Sequence, residues 1–460
     1  MRAATTFLPP AELARFFLIS SAVSLYGSIL LNPVGMFMNR RFHAWNSRGL
    51  VVNYYSYFWT YLLFVAFAAS LSIIFLVNAN VLTFHTNLYW LVFLIFASVL
   101  ISTANTVVIP GLNMLGRRAS FVFLTLATTA ISLIAGLSMV ILVEPKTEYW
   151  LIGILMGQLV IALLGGQIFY KSINRFNSLI DSEMNMSRNH ISVLWRFSWP
   201  ILVGASLIWV QSQSYRFIME NSIGLVQVGL FVAGYGISAG MIAGFEAILT
   251  SYFQPIFYRN ISSEDVVAQG KAWTNYAEAI LQPLLPVGFL LVAAAPELTI
   301  LLLGASYSES SQFIVWGSIA ELARVAYGVF SMAAHARMQT NRLLLPGLIG
   351  VIISITGTLL LMPKYGANGV GIALALAGIA MVFVVYLATR RELVMKLSGM
   401  TFIKSSIFGL GLVIAAAIIR EIVGSESLIA AILLLFILAL ILLTYQYLLF
   451  RPFLLEKAND

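Results

Sequence analysis

LNMLGRRASFVFLTLATTAISLIAGLSMVILVEPKTEYWLIGI, residues 112–154, holds one full period of the pattern that organises this chain. It opens on a basic gap, Arg117 and Arg118. An apolar run over 119–143 follows, longer than the roughly 20 residues a helix needs to cross a bilayer. A three-residue turn at 144–146 then leads directly into the next apolar run. Basic gap, span, short turn, span: the rest of the 460 residues repeats this unit.

Reading outward gives thirteen spans, at about 12–38, 57–78, 86–113, 119–143, 147–171, 193–217, 224–257, 273–303, 310–336, 343–362, 366–389, 401–420 and 427–450. The gap after each odd-numbered span is basic. These gaps hold Arg40, Arg41 and Arg48; Arg117 and Arg118; Lys171, Arg175, Arg188 and Arg196; Arg259 and Lys271; Arg337 and Arg342; Arg390, Arg391, Lys396 and Lys404; Arg451 and Lys457. The other gaps hold only Lys146, Arg216, Lys364 and Arg420. Lys and Arg collect on the cytoplasmic side, so the chain is expected to start outside and end inside. The alternation never breaks, and a missed or invented helix would have inverted it downstream.

Composition agrees. The chain is 60% hydrophobic and 10% charged, with a mean hydropathy of +0.93; a soluble domain carries roughly 25% charged residues. No stretch alternates at period two over about 10 residues, so a β-barrel is not expected. The net charge of +8 follows from the positive-inside bias, and nucleic acid is not an expected partner. There is no cysteine, hence no disulfide or thiol chemistry. The fold class is therefore an all-α polytopic membrane protein.

The polar, basic segment 172–192 reads as a cytoplasmic linker between two lobes, 1–171 with five helices and 193–390 with six. Residues 391–460 add two C-terminal helices. Pro145, Lys146, Gly153 and Ile154 recur at the same spacing as Pro363, Lys364, Gly371 and Ile372. Both sets sit in an outer turn, six spans apart. An even shift preserves orientation, so the lobes read as a parallel repeat. On that reading the first lobe is one helix short, and a first helix missing at the N-terminus is the expectation.

Ionisable residues inside spans are costly and point to function. In span nine, Gly317, Glu321, Arg324, Gly328, Ser331 and His335 form one helical stripe. Glu321 and Arg324, three apart, are placed to pair. The stripe suits substrate contact or gating, and equally an ion pair that locks two helices. Span six carries Gln213, Tyr215 and Arg216; Arg216 either snorkels to the outer surface or holds an anion. Glu246, deep in span seven on the face of Tyr235, needs a partner from another helix, or a proton. Arg15, Glu278 and Glu297 lie near span ends and read as interfacial. Asn32-Pro33, Asn105, Pro110, Gln254-Pro255 and Gln282-Pro283 punctuate other spans, as in bent helices around a wet cavity.

No Walker A motif, HExxH or Cys/His cluster occurs, so no ATPase, metal centre or other cofactor is expected. The outer gaps are too short to house the catalytic domain of a polysaccharide polymerase or ligase.

Four segments carry a resemblance. FSWPILVGASLIWVQSQSYRFIMENSIGLVQVGLFVAGYGISAGM (197–241), LLLGASYSESSQF (301–313), LMPKYGANGVGIALA (361–375) and FLPPAELARFFLISSAV (7–23) are similar to segments of the multidrug/oligosaccharidyl-lipid/polysaccharide exporter superfamily. Within it the chain resembles a polysaccharide-biosynthesis flippase of the Wzx type. The resemblance implies no enzyme, but a monomeric inner-membrane flippase carrying undecaprenyl-pyrophosphate-linked oligosaccharide for O-antigen, capsule or exopolysaccharide, alongside polymerase machinery. It implies substrate contacts at Arg216, Arg324, Gln213, Tyr215 and Arg15, and coupling or gating at Glu246, Glu321, Arg324 and His335. A cation- or proton-coupled multidrug exporter of the same superfamily is the alternative. It commonly uses a buried acid in the first lobe, where Glu12, Glu144 and Glu148 lie only at span ends.

Overall fold

The computed structural model of the protein describes residues 1–79, 87–173, 188–261, 265–337, 339–390, 395–423 and 427–458. Every regular element among them is a helix. Thirteen helices are long and apolar enough to cross a membrane: Pro10–Ser47, Val51–Asn78, Leu88–Met114, Arg118–Leu142, Thr147–Ser172, Ser192–Ile223, Leu225–Ile261, Val266–Ala293, Ala305–Ala336, Asn341–Tyr365, Ala367–Thr389, Gly399–Ile422 and Leu428–Phe450. In order, each overlaps one of the thirteen spans read from the sequence, and the same numbering serves for both.

Span one is the longest of these, at 38 residues. Its helix runs past the apolar stretch into NRRFHAWNS, which is polar but compatible with helix. Hydropathy marks where lipid ends; it does not mark where a helix ends. Within the same span, Gly27–Leu31 forms a π turn immediately before Asn32 and Pro33. Spans six and seven meet at Gly224 with φ 85°, and spans ten and eleven at Gly366 with φ 56°. Glycine tolerates this backbone without a Cβ penalty, so helix reverses into helix over a single residue.

The chain folds as two compact units, Phe7–Trp209 and Val210–Asp460, the second of which also takes in Met1–Thr6. The division falls inside the helix Arg188–Ile223; of the expected linker 172–192, residues 174–187 lie outside the described residues. That helix is continuous; before the division, Phe197 lies 5.6 Å from Phe37, and Trp209 donates to the Ser21 carbonyl at 3.1 Å. Met1–Thr6 joins the second unit because Arg2 donates to the carbonyls of Ile300 and Leu303, and Gly304 N–H donates to the Thr5 hydroxyl at 2.9 Å.

In the first unit, spans four and five form a tight hairpin behind the first Pro-Lys turn. Small residues make it: a Cβ at Gly153 would meet the Ala135 carbonyl oxygen at 2.5 Å and Gly136 Cα at 2.6 Å, and one at Gly157 would meet Ser132 Cα at 2.6 Å. Close backbone approach through small residues is a common way for helices to associate in lipid. Gly153→Ala is therefore expected to lower stability by about 1–3 kcal/mol through overpacking against backbone that has no room to move. Gly166→Ala, in the same helix but facing open space, should leave stability unchanged or raise it. Thermal unfolding of the two variants in detergent compares them directly, and equal midpoints would refute the packing account.

In the second unit, span eight is the most deeply buried of the membrane-spanning helices. Spans seven and nine and the C-terminal span twelve pack on it. Glu278 accepts the Ser398 N–H at 2.8 Å, and Glu297 pairs with Arg420, so the C-terminal helices are tied to this unit. Glu297 is 1% exposed, which corrects its reading as an interfacial residue.

The basic residues of the sparse gaps prove to be engaged. Lys146 pairs with Glu144 at 2.6 Å, a hydrogen bond that raises the ammonium pKa. Lys364 stands 5.2 Å above the Tyr365 ring. Arg420 holds Glu297, and Arg216 lies against Tyr215.

Candidate functional site

Spans seven and nine run side by side in the second unit along a seam of small residues. A Cβ at Gly317 would meet Tyr235 Cα at 3.1 Å and Ser238 Cβ at 3.0 Å. Ser238 Oγ donates to the Ile314 carbonyl at 2.7 Å and shares a hydrogen bond with Ser318. One turn beyond this dry contact the polar groups begin.

Tyr235 donates its hydroxyl to Glu321 Oε1 at 2.9 Å. Glu321 Oε2 accepts from Arg324 Nε at 2.6 Å. Arg324 Nη2 then reaches across to Glu246 Oε2 at 2.7 Å. Glu246 thus finds its partner on another helix, and the expected Glu321–Arg324 pair is part of a four-residue chain. Two carboxylates share one guanidinium, so the ionised cluster carries a net charge of −1.

Exposure is graded along the chain. The side chains of Glu321, Glu246 and Arg324 are 9%, 23% and 46% exposed within the protein. Glu321 is the buried anchor. Arg324 uses Nε and one Nη2 hydrogen for the two carboxylates and keeps further N–H donors at the open edge. In a mid-span position such a surface is tolerable facing water, and costly facing lipid tails. The arrangement can take up a proton or a small cation on the excess carboxylate. It can also offer the free guanidinium edge to an anion.

The other expected site residues lie elsewhere. His335 is in the last turn of span nine, eleven residues beyond Arg324, or about 16 Å along the axis. Tyr215 is 1% exposed, packed 5.3 Å from Phe231 in a core cluster that includes Phe313. Burial removes its ring from substrate contact. Its hydroxyl accepts from Arg216 Nε at 3.3 Å. Gln213 is half-buried one turn earlier on the same helix. Arg15, in the first unit, pairs with Glu12 at 2.6 Å, and Glu12 Oε2 accepts from the Thr147 N–H and hydroxyl at 2.9 and 2.8 Å. Glu12 therefore caps the N-terminus of span five, where a carboxylate also complements the helix dipole. Arg15 serves that structural pair.

Tyr235 is the member of the chain that the sequence did not nominate. Its donor role depends on span nine lying alongside span seven, and no local spacing reports that.

A family profile described as "Polysaccharide biosynthesis protein" matches residues 46–312, more than half of the chain. Two solved structures share the fold. One is the lipid II flippase MurJ in an inward closed conformation, at 15% identity and a TM-score of 0.66, with 96% of this chain and 97% of that chain covered. The other is a multidrug resistance MATE family transporter of the MOP superfamily in an inward-facing conformation, at 14% identity and a TM-score of 0.59, with 85% and 92% covered. At such identities the likeness is one of fold. No curated protein matches by sequence.

Proposed function

The chain belongs to the polysaccharide biosynthesis protein family, and from that premise we propose that it flips undecaprenyl-pyrophosphate-linked oligosaccharide across the bacterial inner membrane, from the cytoplasmic to the periplasmic leaflet. It acts as a monomer and as a carrier, not as an enzyme, and hands its cargo to polysaccharide polymerase machinery for O-antigen, capsule or exopolysaccharide. The basic gaps face the cytoplasm, which puts the C-terminus inside. The observation that carries the reading is the family match on a chain whose described residues include thirteen helices long and apolar enough to cross a membrane. The shared fold with a lipid II flippase supports it. A strain lacking the gene should accumulate the lipid-linked repeat unit in its inner leaflet, and unaltered surface glycan would refute the proposal.

The cluster Tyr235–Glu321–Arg324–Glu246 is the coupling element. Its excess carboxylate binds the driving proton or cation, and its guanidinium edge meets the pyrophosphate. Glu246→Gln removes the excess charge but leaves the Glu321–Arg324 pair intact. In proteoliposomes this variant should keep slow downhill transport and lose its response to an imposed proton or sodium gradient. A coupling term of 1–3 kcal/mol corresponds to a response of roughly 5–150-fold. An undiminished gradient response in Glu246→Gln would rule the cluster out as the coupling site.

The same cluster suits an ion-coupled drug exporter, and the second structural neighbour is a multidrug resistance transporter. Uptake of a cationic dye into the same vesicles separates the two readings.

A further inference from the structure

The first unit contains a cavity of about 380 Å³ between spans one, two and three. Its wall is uncharged, and polar stripes run between apolar side chains such as Leu31, Met38, Phe58 and Val99. Ser24, Ser28 and Asn32 line it from span one, and Ser98, Ser102 and Thr106 from span three. Both sets recur every fourth residue, so each forms a stripe along its helix, and both stripes border the one cavity. Among the described residues, no lining side chain carries a charge.

Three observations mark this cavity as a built site. First, the π turn Gly27–Leu31 lies in its wall, and such insertions are frequent at functional sites. Second, Gly27 and Gly35 also line it, and a Cβ at either would meet nothing within 4 Å, so the space beside span one is kept open. Third, Ser98 is 6% exposed, yet its Oγ has no hydrogen-bond partner. A buried hydroxyl left unpaired is unfavourable, and the residue that carries it lines the cavity.

The chemistry of the wall selects its ligand. A carboxylate or phosphate would enter without a counter-charge, and so would a cation. Hydroxyls and the amides of Asn32 and Asn39 both donate and accept, which suits a group that itself does both. Ser102, a lining residue, already donates to Gln158 Oε1 at 2.9 Å, which leaves its oxygen to accept. The Asn32 side chain makes no hydrogen bond among the described residues. The volume lies within the roughly 300–1,000 Å³ of ligand pockets and has room for a sugar residue.

We propose that this cavity is a carbohydrate subsite that seats an uncharged sugar residue of the cargo, and so favours neutral glycans over uronate-bearing ones. The proposal rests on the lipid-linked oligosaccharide reading and adds a sugar class to it.

The test measures binding to the full chain in detergent with three probes: undecaprenyl pyrophosphate bearing a trisaccharide of neutral hexoses, the same carrier with a hexuronate in the trisaccharide, and the sugar-free carrier. The native chain should bind the neutral carrier about tenfold more tightly than the other two, the worth of one net hydrogen-bonding advantage. Gly35→Leu projects into the open space and should erase that preference. Ser98→Ala deletes the unpaired hydroxyl; it should leave the melting temperature unchanged or raise it, while weakening the neutral carrier several-fold. A purely structural serine would do the reverse. If Gly35→Leu leaves the neutral-sugar preference intact, or if the native chain binds all three carriers alike, the subsite is overturned while the flippase reading stands. If the native chain binds no carrier at all, the flippase reading falls and the subsite with it.

Discussion

Arg324→Gln is expected to abolish transport and to cost the second unit about 3 kcal/mol of stability. Arg324 is the only cation in the chain Tyr235–Glu321–Arg324–Glu246 and holds both carboxylates, at 2.6 and 2.7 Å. Removing it leaves Glu321, at 9% exposure, and Glu246, at 23%, without a counter-charge. Breaking a buried pair by deleting one partner costs about 3–5 kcal/mol. The lower end applies because Arg324 itself is 46% exposed. Arg324→Lys should recover part of the stability and little of the transport. A single ammonium keeps the charge but lacks the planar fork that spans two carboxylates. The double variant Arg324→Gln with Glu246→Gln leaves one carboxylate, which Tyr235 already serves, and should recover most of the lost stability without transport. Melting temperature and transport in proteoliposomes, measured on all three, separate the structural loss from the functional one. Wild-type transport by Arg324→Gln would remove the cluster from the mechanism.

What the sequence could report, and what it could not, divides along one line. Lipid and the membrane's asymmetry act residue by residue, so apolar runs and basic gaps disclosed all thirteen spans in order. Glu321 and Arg324 were legible for the same reason: three residues apart on a helix, they meet whatever surrounds them. Contacts between helices left no such trace. Glu246 was recognisable as needing a partner, but not that the partner was Arg324. Arg15 and Glu297 looked interfacial because they lie near span ends; Glu12 and Arg420, which hold them, come from the preceding turn in one case and from another helix in the other. Tyr215 looked like a wall of the site and is core, because Phe231 and Phe313 cover it. The π turn was hidden behind Asn32-Pro33, which reads equally well as an ordinary kink. The neutral cavity was hidden because serines spaced four apart are unremarkable in one helix and acquire meaning only opposite a second such stripe.

The second large effect is expected at Arg420, far along the chain from that cluster. Arg420 Nε and Nη2 donate to Glu297 Oε1 and Oε2, both at 2.8 Å, and Nη2 also donates to the Ala293 carbonyl at 2.9 Å. The pair is a two-pronged fork that joins span twelve to the short helix Ala295–Leu302. Its two members are unequal. The Glu297 side chain is 2% exposed and that of Arg420 is 31% exposed. Arg420→Met therefore strands a carboxylate that cannot reach water, and should cost about 3–5 kcal/mol. Glu297→Leu strands a guanidinium on a flexible stem that can swing outward, so its cost should be distinctly smaller. Glu297→Leu combined with Arg420→Met replaces the pair by apolar contact, and buried pairs so replaced are often neutral or more stable. The expected order of melting temperatures is Arg420→Met lowest, then Glu297→Leu, with the double variant near the native chain. Measured below these midpoints, transport should survive in all three, because the fork positions helices and does not touch the cluster on spans seven and nine. Equal losses in the two single variants would mean that the burial asymmetry does not set the energetics. A double variant less stable than Arg420→Met would mean that the pair is a net source of stability and not a fastener whose halves are costly only when separated.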